Sequence, residues 1–377
     1  MRTMGSPKLV FPMVVVLMFG IVACAQSFGR FSSDTQQPAG QSQSGYNPVQ
    51  PGPYSVSTLE FPDLVDKSRN NRSVPLKIHF PNTGENLPIV VISHGAGATW
   101  DANIYQAQHL ASHGYLAICP RHVDSDFERK NHLMSRAGGN MRQMEAVHYM
   151  TTDSRAVLER PKDISFAINQ AIQWNQSLNQ LKGRLNTSKV AVMGHSFGAY
   201  TTLVCCGARP ALDYLKPKVG SGKGVYGGDL SDSRITFGLA LSPQGPGSTF
   251  FGKDSYRTIN RPLIMMTGSK DGEQSATGGR LAPESRKEAF QLSPSGQKYF
   301  IWLANADHLS FSESPQTKKR LRGAAVRNEV QRVTKATMVI SCDYFLKGKK
   351  DTIQMLNQQY LNSLTAKAVP TVTVATK

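Results

Sequence analysis

The pentapeptide Gly194-His195-Ser196-Phe197-Gly198 restricts what this chain can fold into more than any other feature of the sequence. It follows a strand-like segment, KVAVM, and precedes a helix-like segment, AYTTLVCC. A sharp turn from a strand into a helix holds the central residue in a strained backbone and raises its side chain above the edge of a sheet. Side chains two positions before or after it would clash, which explains the glycine at both places. The pattern therefore predicts a nucleophilic Ser196; the alternative is a glycine-rich turn that contains a bystander serine.

The rest of the sequence predicts an α/β fold with a mostly parallel central sheet and helices on both faces. From Tyr54 onward, strand-like and helix-like segments alternate, and a hydrophobic content of 40% is sufficient for a large core. The predicted strands are Leu76–Phe80, Leu87–Ser93, Tyr115–Cys119, Val190–Met193, Ile235–Leu241, Leu263–Thr267 and Tyr299–Leu303, and the predicted helices are Ile164–Leu181 and 322–347. The polar stretches 122–155 and 213–233 are expected to be irregular excursions over the strand ends, where such sheets place their binding crevice.

The N-terminus has the features of an export signal. Arg2 and Lys8 lead into the apolar stretch Val10–Val22, which is shorter than the roughly 20 residues that a membrane-spanning helix needs. We therefore predict that residues 1–25 direct export to the periplasm or the extracellular space. The letters IVAC resemble a lipobox, in which Cys24 would be lipidated and would attach the chain to a membrane, whereas ACA also fits an ordinary signal-peptidase site.

We divide the remainder into a flexible polar linker at residues 26–53, a catalytic domain at residues 54–364 and a C-terminal tail at residues 365–377. The linker prediction rests on Gln, Ser, Gly and Pro with almost no large aliphatic residue. The formal net charge is +17, and residues 317–350 contain ten Lys and Arg against two acidic residues. Apolar residues recur there at nearly helical spacing, which favours a solvated helix face with one buried side over a nucleic-acid-binding patch.

A serine hydroxyl needs a base to take its proton, and in this kind of fold the partners follow in the order Ser, acid, His. Of nine histidines only His308 follows Ser196, directly after the strand-like segment YFIWL. Asp271 is our candidate acid because it lies just beyond a predicted strand, in the turn-like sequence GSKDG. Asp254 lies farther from any strand end, and Asp307 neighbours the histidine, so both are poorer candidates. The alternatives are a surface-loop histidine and an ordinary turn aspartate.

Two backbone N–H groups usually receive the negative charge that develops on a carbonyl oxygen during acyl transfer. One belongs to the residue after the nucleophile, here Phe197. We assign the other to Ala96, in the sequence SHGAG directly after the strand-like LPIVVIS, and we interpret His94 as a residue that shapes this loop. Apolar side chains near the motif loops could line an acyl pocket or pack in the core: Trp100, Phe250, Phe251 and Leu309.

The motifs ISHGAG, LASHGYLAICPRH, RPKDISFAI, GHSFGAYT, TGSKDG and ADHLSFS together resemble a known family. From about Tyr54 to Leu361 the chain is similar to the predicted dienelactone-hydrolase-like, platelet-activating-factor-acetylhydrolase-like serine esterase branch of the α/β-hydrolase fold, and more distantly to chlorophyllases and polyester hydrolases. This resemblance implies hydrolysis of a small-molecule or lipid-like carboxylic ester. It also implies Ser196 as nucleophile, Asp271 as orienting acid and His308 as base, with oxyanion donors as assigned above. Dienelactone hydrolases proper use a cysteine nucleophile, so dienelactone is not the substrate that we expect.

We predict neither a cofactor nor a bound metal ion. His122 with Asp124 and Asp126, and likewise Glu145 with His148, do not complete a metal-ligand pattern. Glycine-rich phosphate loops of the P-loop or dinucleotide type are absent from the sequence. Besides Cys24, the cysteines are interpreted as buried thiols, with disulfide pairing left open: Cys119, Cys205, Cys206 and Cys342.

Two alternatives to ester hydrolysis remain open at this stage. Acyltransferases, thioesterases and peptidases use the same triad and the same acyl-enzyme intermediate. A hydrolase-fold protein that has become catalytically silent and only binds a ligand is the other alternative. Such proteins usually lose a member of the triad, whereas all three candidates are present in this sequence.

Overall fold

A nine-stranded sheet is the centre of the fold in the computed structural model, which describes residues 45–136, 141–218, 226–313 and 323–377. The strands of the chain are β1 (Val56–Phe61), β2 (Val65–Asp66), β3 (Arg72–Ser73), β4 (Leu76–Pro81), β5 (Leu87–Ser93), β6 (Leu116–Pro120), β7 (Leu185–His195), β8 (Ile235–Leu241), β9 (Leu263–Lys270), β10 (Glu273–Gln274), β11 (Arg280–Leu281), β12 (Lys298–Asp307) and β13 (Val372–Thr376). The predicted export signal, Cys24 and most of the predicted linker lie outside the described residues.

The order of strands across the large sheet is β1-β4-β6-β5-β7-β8-β9-β12-β13. The six strands from β6 to β12 pair in parallel, whereas β1, β4 and β13 pair antiparallel to their neighbours. Parallel neighbours require crossover connections, and these connections place helices on both faces of the sheet. The predicted α/β architecture with a mostly parallel sheet is therefore confirmed, and it is the α/β-hydrolase fold.

Two hydrophobic clusters, one on each face of the sheet, form the core. The helices are α1 (Ile104–Ser112), α2 (Phe127–Arg136), α3 (Gln143–Thr152), α4 (Ser154–Ser177), α5 (Phe197–Cys205), α6 (Ser285–Leu292), α7 (Ala324–Phe345) and α8 (Gln358–Ser363). Ile89 and Val91 of β5 pack in the cluster of α4 and α5, and Val90 and Ile92 pack in the cluster of α1 and α7. The strand LPIVVIS is thus buried on both faces, as its continuous apolar run predicts. Within the described ranges, no helix is both long and apolar enough to cross a membrane.

The stretch 122–155, which we expected to be irregular, contains α2, α3 and the first two residues of α4. The sequence places the start of α4 near Pro161, but the helix continues through this residue. A proline inside a helix leaves the carbonyl four residues earlier without its N–H partner. Here that carbonyl, of Val157, accepts a hydrogen bond at 3.1 Å from the Tyr200 hydroxyl on α5. A tertiary contact therefore permits the proline, and no local pattern predicts it.

Both ends of the predicted catalytic domain need correction. The expected tail at residues 365–377 supplies β13, which pairs antiparallel with β12 at the edge of the sheet. At the other end, the last residues of the predicted linker lie on the domain: His109 Nε2 donates to the carbonyl of Pro48 at 2.8 Å, and the amide of Gly52 donates to Ser112 Oγ at 2.9 Å. The C-terminal segment is held by its strand pairing and by the burial of Val372, and the N-terminal segment by hydrogen bonds to side chains of α1.

Candidate active site

The turn around Ser196 has the strained geometry that the glycine pattern predicts. Ser196 joins the end of β7 to the start of α5 and has φ 59° and ψ −118°, which L-residues rarely adopt. A Cβ atom on Gly198 would lie 1.9 Å from the carbonyl oxygen of Ser93, and one on Gly194 would lie 2.5 Å from the carbonyl of Gly198. Both positions therefore require glycine, because backbone atoms occupy the space that a side chain needs.

The structure brings Ser196, Asp271 and His308 together at the carboxyl ends of β7, β9 and β12. His308 Nε2 lies 2.8 Å from Ser196 Oγ, and His308 Nδ1 lies 2.8 Å from Asp271 Oδ1. A carboxylate only accepts hydrogen bonds, so the imidazole donates from Nδ1 and accepts the serine hydroxyl at Nε2. This is the hydrogen-bond order in which a histidine can take a proton from a serine hydroxyl.

Asp307 and Asp254, the two poorer candidates for the acid, have other partners. Asp307 accepts a hydrogen bond from the amide of Leu309 at 3.1 Å and so caps the short 3₁₀ helix His308–Phe311. Asp254 pairs with Arg257 at 2.9 Å on the surface. Neither group contacts the imidazole of His308 in the described hydrogen bonds, so Asp271 is the carboxylate that orients it.

Asp271 is fully buried, and its surroundings hold it in the ionised form. Burial by itself raises the pKa of this carboxyl, but the positive charge of Arg286 and the hydrogen bond with His308 outweigh it and hold the pKa of Asp271 well below its usual range. Arg286 Nη2 lies 3.1 Å from Asp271 Oδ1, and Thr267 Oγ1 donates to Oδ2 at 2.9 Å. The carboxylate therefore has the negative charge that stabilises an imidazolium beside it.

Arg286, in the first turn of α6, is a site residue that sequence reasoning missed. Only 2% of it is exposed, and besides Asp271 it donates to the main-chain carbonyls of Ser242 and Pro243 at 2.9 Å. It thus joins the loop after β8 to the loop after β9. An arginine early in a polar helix usually faces solvent, so nothing in the local sequence signals this position.

His195 holds the loop that contains His308. Its Nε2 donates to the main-chain carbonyl of His308 at 2.8 Å, and the two rings lie 4.8 Å apart. Burial, followed by the nearby charge of His308, lowers the pKa of His195 to about 3, so this imidazole is neutral near pH 7. His195, the second residue of the pentapeptide, therefore has a structural role that the G-x-S-x-G pattern does not specify.

The loop after β5 lies against Ser196, where an acyl-transfer site needs its oxyanion donors. A Cβ on Gly95 would be only 3.5 Å from Ser196 Cβ. The amide of Gly97 is satisfied by the carbonyl of Ser125 at 2.8 Å. By contrast, no hydrogen bond to a protein acceptor is found for the amides of Ala96 and Phe197 in the part of the chain that the structure describes.

The predicted acyl-pocket residues divide into two groups. Phe250 and Phe251 are 6% and 1% exposed and belong to the core, so their prediction as pocket-lining residues is wrong. The Phe250 ring stacks 5.0 Å from that of Phe197, and Phe251 packs 5.3 Å from Tyr256. Trp100 and Leu309 are only half-buried. Packing decides this difference, and the sequence cannot separate a buried aromatic beside a site from an exposed one.

The described cysteines and acidic residues form neither disulfides nor metal clusters. Four cysteines are free and buried: Cys119, Cys205, Cys206 and Cys342. Among residues 45–136, 141–218, 226–313 and 323–377, no group of three or more His, Cys, Asp or Glu side chains could hold a metal ion. His122 and Asp124 instead contact Asp163 and Arg72, in a buried network behind the loop after β5.

Known proteins match part of the chain. The sequence model of the family described as "Platelet-activating factor acetylhydrolase, isoform II" matches residues 64–211, which include Ser196 and end before Asp271. The chain is 29% identical to platelet-activating factor acetylhydrolase of Cavia porcellus over 151 residues, 34% of each protein. It is 24% identical to cutinase 2 of Thermobifida cellulosilytica over 142 residues, 37% of this chain and 42% of that protein.

A second cutinase of that organism, cutinase 1, is 24% identical over 168 residues, which cover 44% of this chain and 50% of the cutinase. The matches thus span between about a third and a half of these relatives. They agree with the architecture described above, in which a strained serine turn joins β7 to α5. The chain therefore has the α/β-hydrolase fold and resembles the serine esterase branch of that fold, which includes platelet-activating factor acetylhydrolases and cutinases.

Proposed function

We propose that this protein is a serine hydrolase that cleaves carboxylic esters through an acyl-enzyme intermediate. The observation that carries the proposal is the continuous hydrogen-bonded path from Ser196 Oγ through His308 to Asp271, with 2.8 Å at each step. The strained backbone of Ser196 and the neighbouring amides of Ala96 and Phe197 support it, because acyl transfer needs both an exposed nucleophile and oxyanion donors.

In the proposed mechanism, His308 takes the hydroxyl proton as Ser196 Oγ bonds to the ester carbonyl carbon. The carbonyl π electrons move to oxygen, and the amides of Ala96 and Phe197 donate to this oxyanion. Asp271 stays ionised and stabilises the imidazolium. The tetrahedral intermediate then collapses, the bond to the alcohol oxygen breaks, and His308 returns the proton to the leaving alcohol. A water molecule releases the acyl group by the same steps.

We infer that the substrates are lipid-like carboxylic esters. Relatives named platelet-activating factor acetylhydrolase and cutinase support this class, since each name denotes an enzyme that cleaves an ester of lipid origin. Acyl transfer, thioester cleavage and peptide cleavage proceed through the same acyl-enzyme, so a panel of esters, thioesters and amides decides among them. The proposal requires esters to react fastest and to release free acid.

The central experiment compares Ser196→Ala with the native chain on p-nitrophenyl esters of two to twelve carbons. We expect turnover to fall by about 10⁴- to 10⁶-fold at every chain length, as in other Ser-His-Asp enzymes. Ser188→Ala is the matched control, because this exposed serine lies near the start of β7, toward the end of the strand opposite Ser196. An Ser196→Ala variant with native turnover would refute the proposal, as would a fluorophosphonate probe that leaves Ser196 unlabelled.

We also propose that the chain is exported, on the strength of the basic and apolar residues before Cys24. The experiment expresses the full chain in a bacterium and measures the mass of the mature N-terminus in the culture fractions. Loss of the first residues supports export. Incorporation of labelled fatty acid that Cys24→Ser abolishes identifies a lipoprotein, and a full-length cytoplasmic chain contradicts the proposal.

A further inference from the structure

Arg160, in α4, is a charged side chain with no exposed surface, and it lies behind the proposed oxyanion hole. Its guanidinium donates to four oxygen atoms on three separate segments. Nη2 donates to Ser93 Oγ at 3.1 Å and to the main-chain carbonyl of His94. Nη1 donates to Ser125 Oγ at 2.7 Å, and Nε donates to Thr201 Oγ1 at 3.1 Å. A planar fork of donors is suited to hold several elements in one geometry.

All four acceptors of Arg160 are uncharged, which is unusual for a buried arginine. In the described chain no carboxylate lies within 4 Å of its guanidinium. Hydrogen bonds connect the guanidinium to a carboxylate through two neutral groups: Ser93 donates to His122 Nε2 at 3.0 Å, and His122 Nδ1 donates to Asp163 at 2.9 Å. Burial lowers the pKa of Arg160 to about 9, which leaves the guanidinium charged near pH 7.

The same side chain touches both halves of the oxyanion hole. On one side it holds the His94 carbonyl, two residues before the amide of Ala96. On the other side its Cζ lies 4.2 Å from the centre of the Phe197 ring, and Thr201 lies one turn farther along α5. Thr201 Oγ1 in turn donates to the main-chain carbonyl of Phe197 at 3.0 Å. One guanidinium therefore contacts both of the segments that carry the two amides.

His94 adds a second contact to the same loop. Its Nε2 accepts the amide of His122 at 3.1 Å, so the ring proton is on Nδ1, which donates to the carbonyl of Gly95 at 2.7 Å. That carbonyl belongs to the peptide group whose N–H is the amide of Ala96. A hydrogen bond to the oxygen of a peptide group polarises the N–H of the same group and makes it a stronger donor.

From these contacts we propose that Arg160 is the positioning residue of the oxyanion hole, setting the distance between the Ala96 amide on its loop and the Phe197 amide on α5. This inference rests on the proposed esterase function, because it assigns the hole a transition state to stabilise. Such a residue acts on the charged tetrahedral state and has little effect on ground-state binding. Its loss should therefore lower kcat far more than it raises KM.

The test compares Arg160→Met and Arg160→Lys with the native chain on a p-nitrophenyl ester and on a trifluoromethyl ketone, which forms an anionic adduct with a nucleophilic serine. We expect Arg160→Met to lower kcat by about 10- to 100-fold with KM changed less than about threefold. The affinity for the ketone should fall by the same factor as kcat/KM, and Arg160→Lys should recover part of both. Arg155→Met, an exposed arginine in the first turn of α4, is the matched control and should behave as the native chain.

Ser93→Ala keeps the proposal testable if Arg160→Met does not fold, because it removes one acceptor of Nη2 and preserves the charge. It should lower kcat and ketone affinity together, by about 3- to 10-fold. Native kcat in Arg160→Met, or a loss of kcat in either variant without a matching loss of ketone affinity, would overturn the inference. A native chain that cleaves no ester would instead refute the proposed function, so the two failures are distinguishable.

Discussion

Replacement of Gly198 by alanine is the sharpest perturbation of the site that the structure offers. The new Cβ would lie 1.9 Å from the carbonyl oxygen of Ser93, whereas real Cβ atoms essentially never approach within 3.0 Å of another heavy atom. The methyl group and the carbonyl must therefore separate by at least 1.1 Å, the difference between these distances. The carbonyl belongs to the main chain and the main chain also fixes the position of a Cβ, so either the first turn of α5 or the end of β5 has to move.

The Phe197 amide lies in the first turn of α5 and the Ala96 amide lies in the loop directly after β5, so the movement changes the geometry of the proposed oxyanion hole. A misplacement of about 1 Å in an active site can lower turnover by about 100-fold, and overpacking of a core typically costs about 1–3 kcal/mol of stability. We therefore expect Gly198→Ala to remain folded with a lower free energy of unfolding. Its kcat on p-nitrophenyl acetate should be about 100-fold below that of the native chain.

The assay pairs this rate with the free energy of unfolding from urea titration. Gly228→Ala is the control, because nothing lies within 4 Å of its new methyl group and its φ is not in the left-handed region. A Gly198→Ala variant with native kcat and native stability would refute the reasoning. Such a result would mean that β5 and α5 separate without cost, and that their spacing does not set the geometry of the amides.

Three further predictions concern the groups around His308. Asp271→Asn should lower kcat by about 10⁴-fold. Its free energy of unfolding in urea should fall below that of the native chain by the full amount above about pH 5, and the difference should shrink below about pH 4, because the folded pKa of Asp271 lies below its unfolded value. A difference that is constant with pH would contradict this prediction. Arg286→Met should lower kcat and destabilise the chain by several kcal/mol, since it leaves a buried carboxylate without its cation; native turnover would contradict it. His195→Phe should lower kcat with little change in KM, because the loop of His308 loses its hydrogen bond; a raised KM at native kcat would contradict that.

The parts of the site that the sequence predicts are those that local rules control. A strand-turn-helix needs glycine on both sides of Ser196, and the chain order of the partners leaves one histidine and one well-placed carboxylate. The strand LPIVVIS is equally local, because a run of apolar residues identifies a strand buried on both faces. For the turn and the strand, the information lies within about ten residues of the feature itself, whereas the assignment of Asp271 and His308 also uses their order along the chain.

The features that the sequence does not predict depend on contacts between distant segments. Arg286 and Arg160 have polar helical surroundings in sequence, and only the folded chain shows that both are buried against main-chain carbonyls. α4 tolerates Pro161 because Tyr200 supplies the missing hydrogen bond. Phe250 and Phe251 differ from true pocket residues only in their degree of burial. Each outcome is decided by neighbours that lie tens of positions away.

The buried array Ser93–His122–Asp163 shows that hydrogen-bond order alone does not define a nucleophile. Its distances of 3.0 and 2.9 Å nearly match the 2.8 Å steps of the array that ends in Ser196. Ser93, His122 and Asp163 have no exposed surface, however, whereas 36% of the His308 side chain is exposed.

Burial also lowers the pKa of His122 to about 3, which makes its charged form costly near pH 7. No substrate carbonyl can reach Ser93, and its hydroxyl accepts a hydrogen bond from Arg160. The same three residue types therefore form a buried structural hydrogen-bond network at Ser93 and the proposed reaction centre at Ser196. The strained turn at φ 59°, which leaves Ser196 partly exposed, is the physical difference between the two arrays.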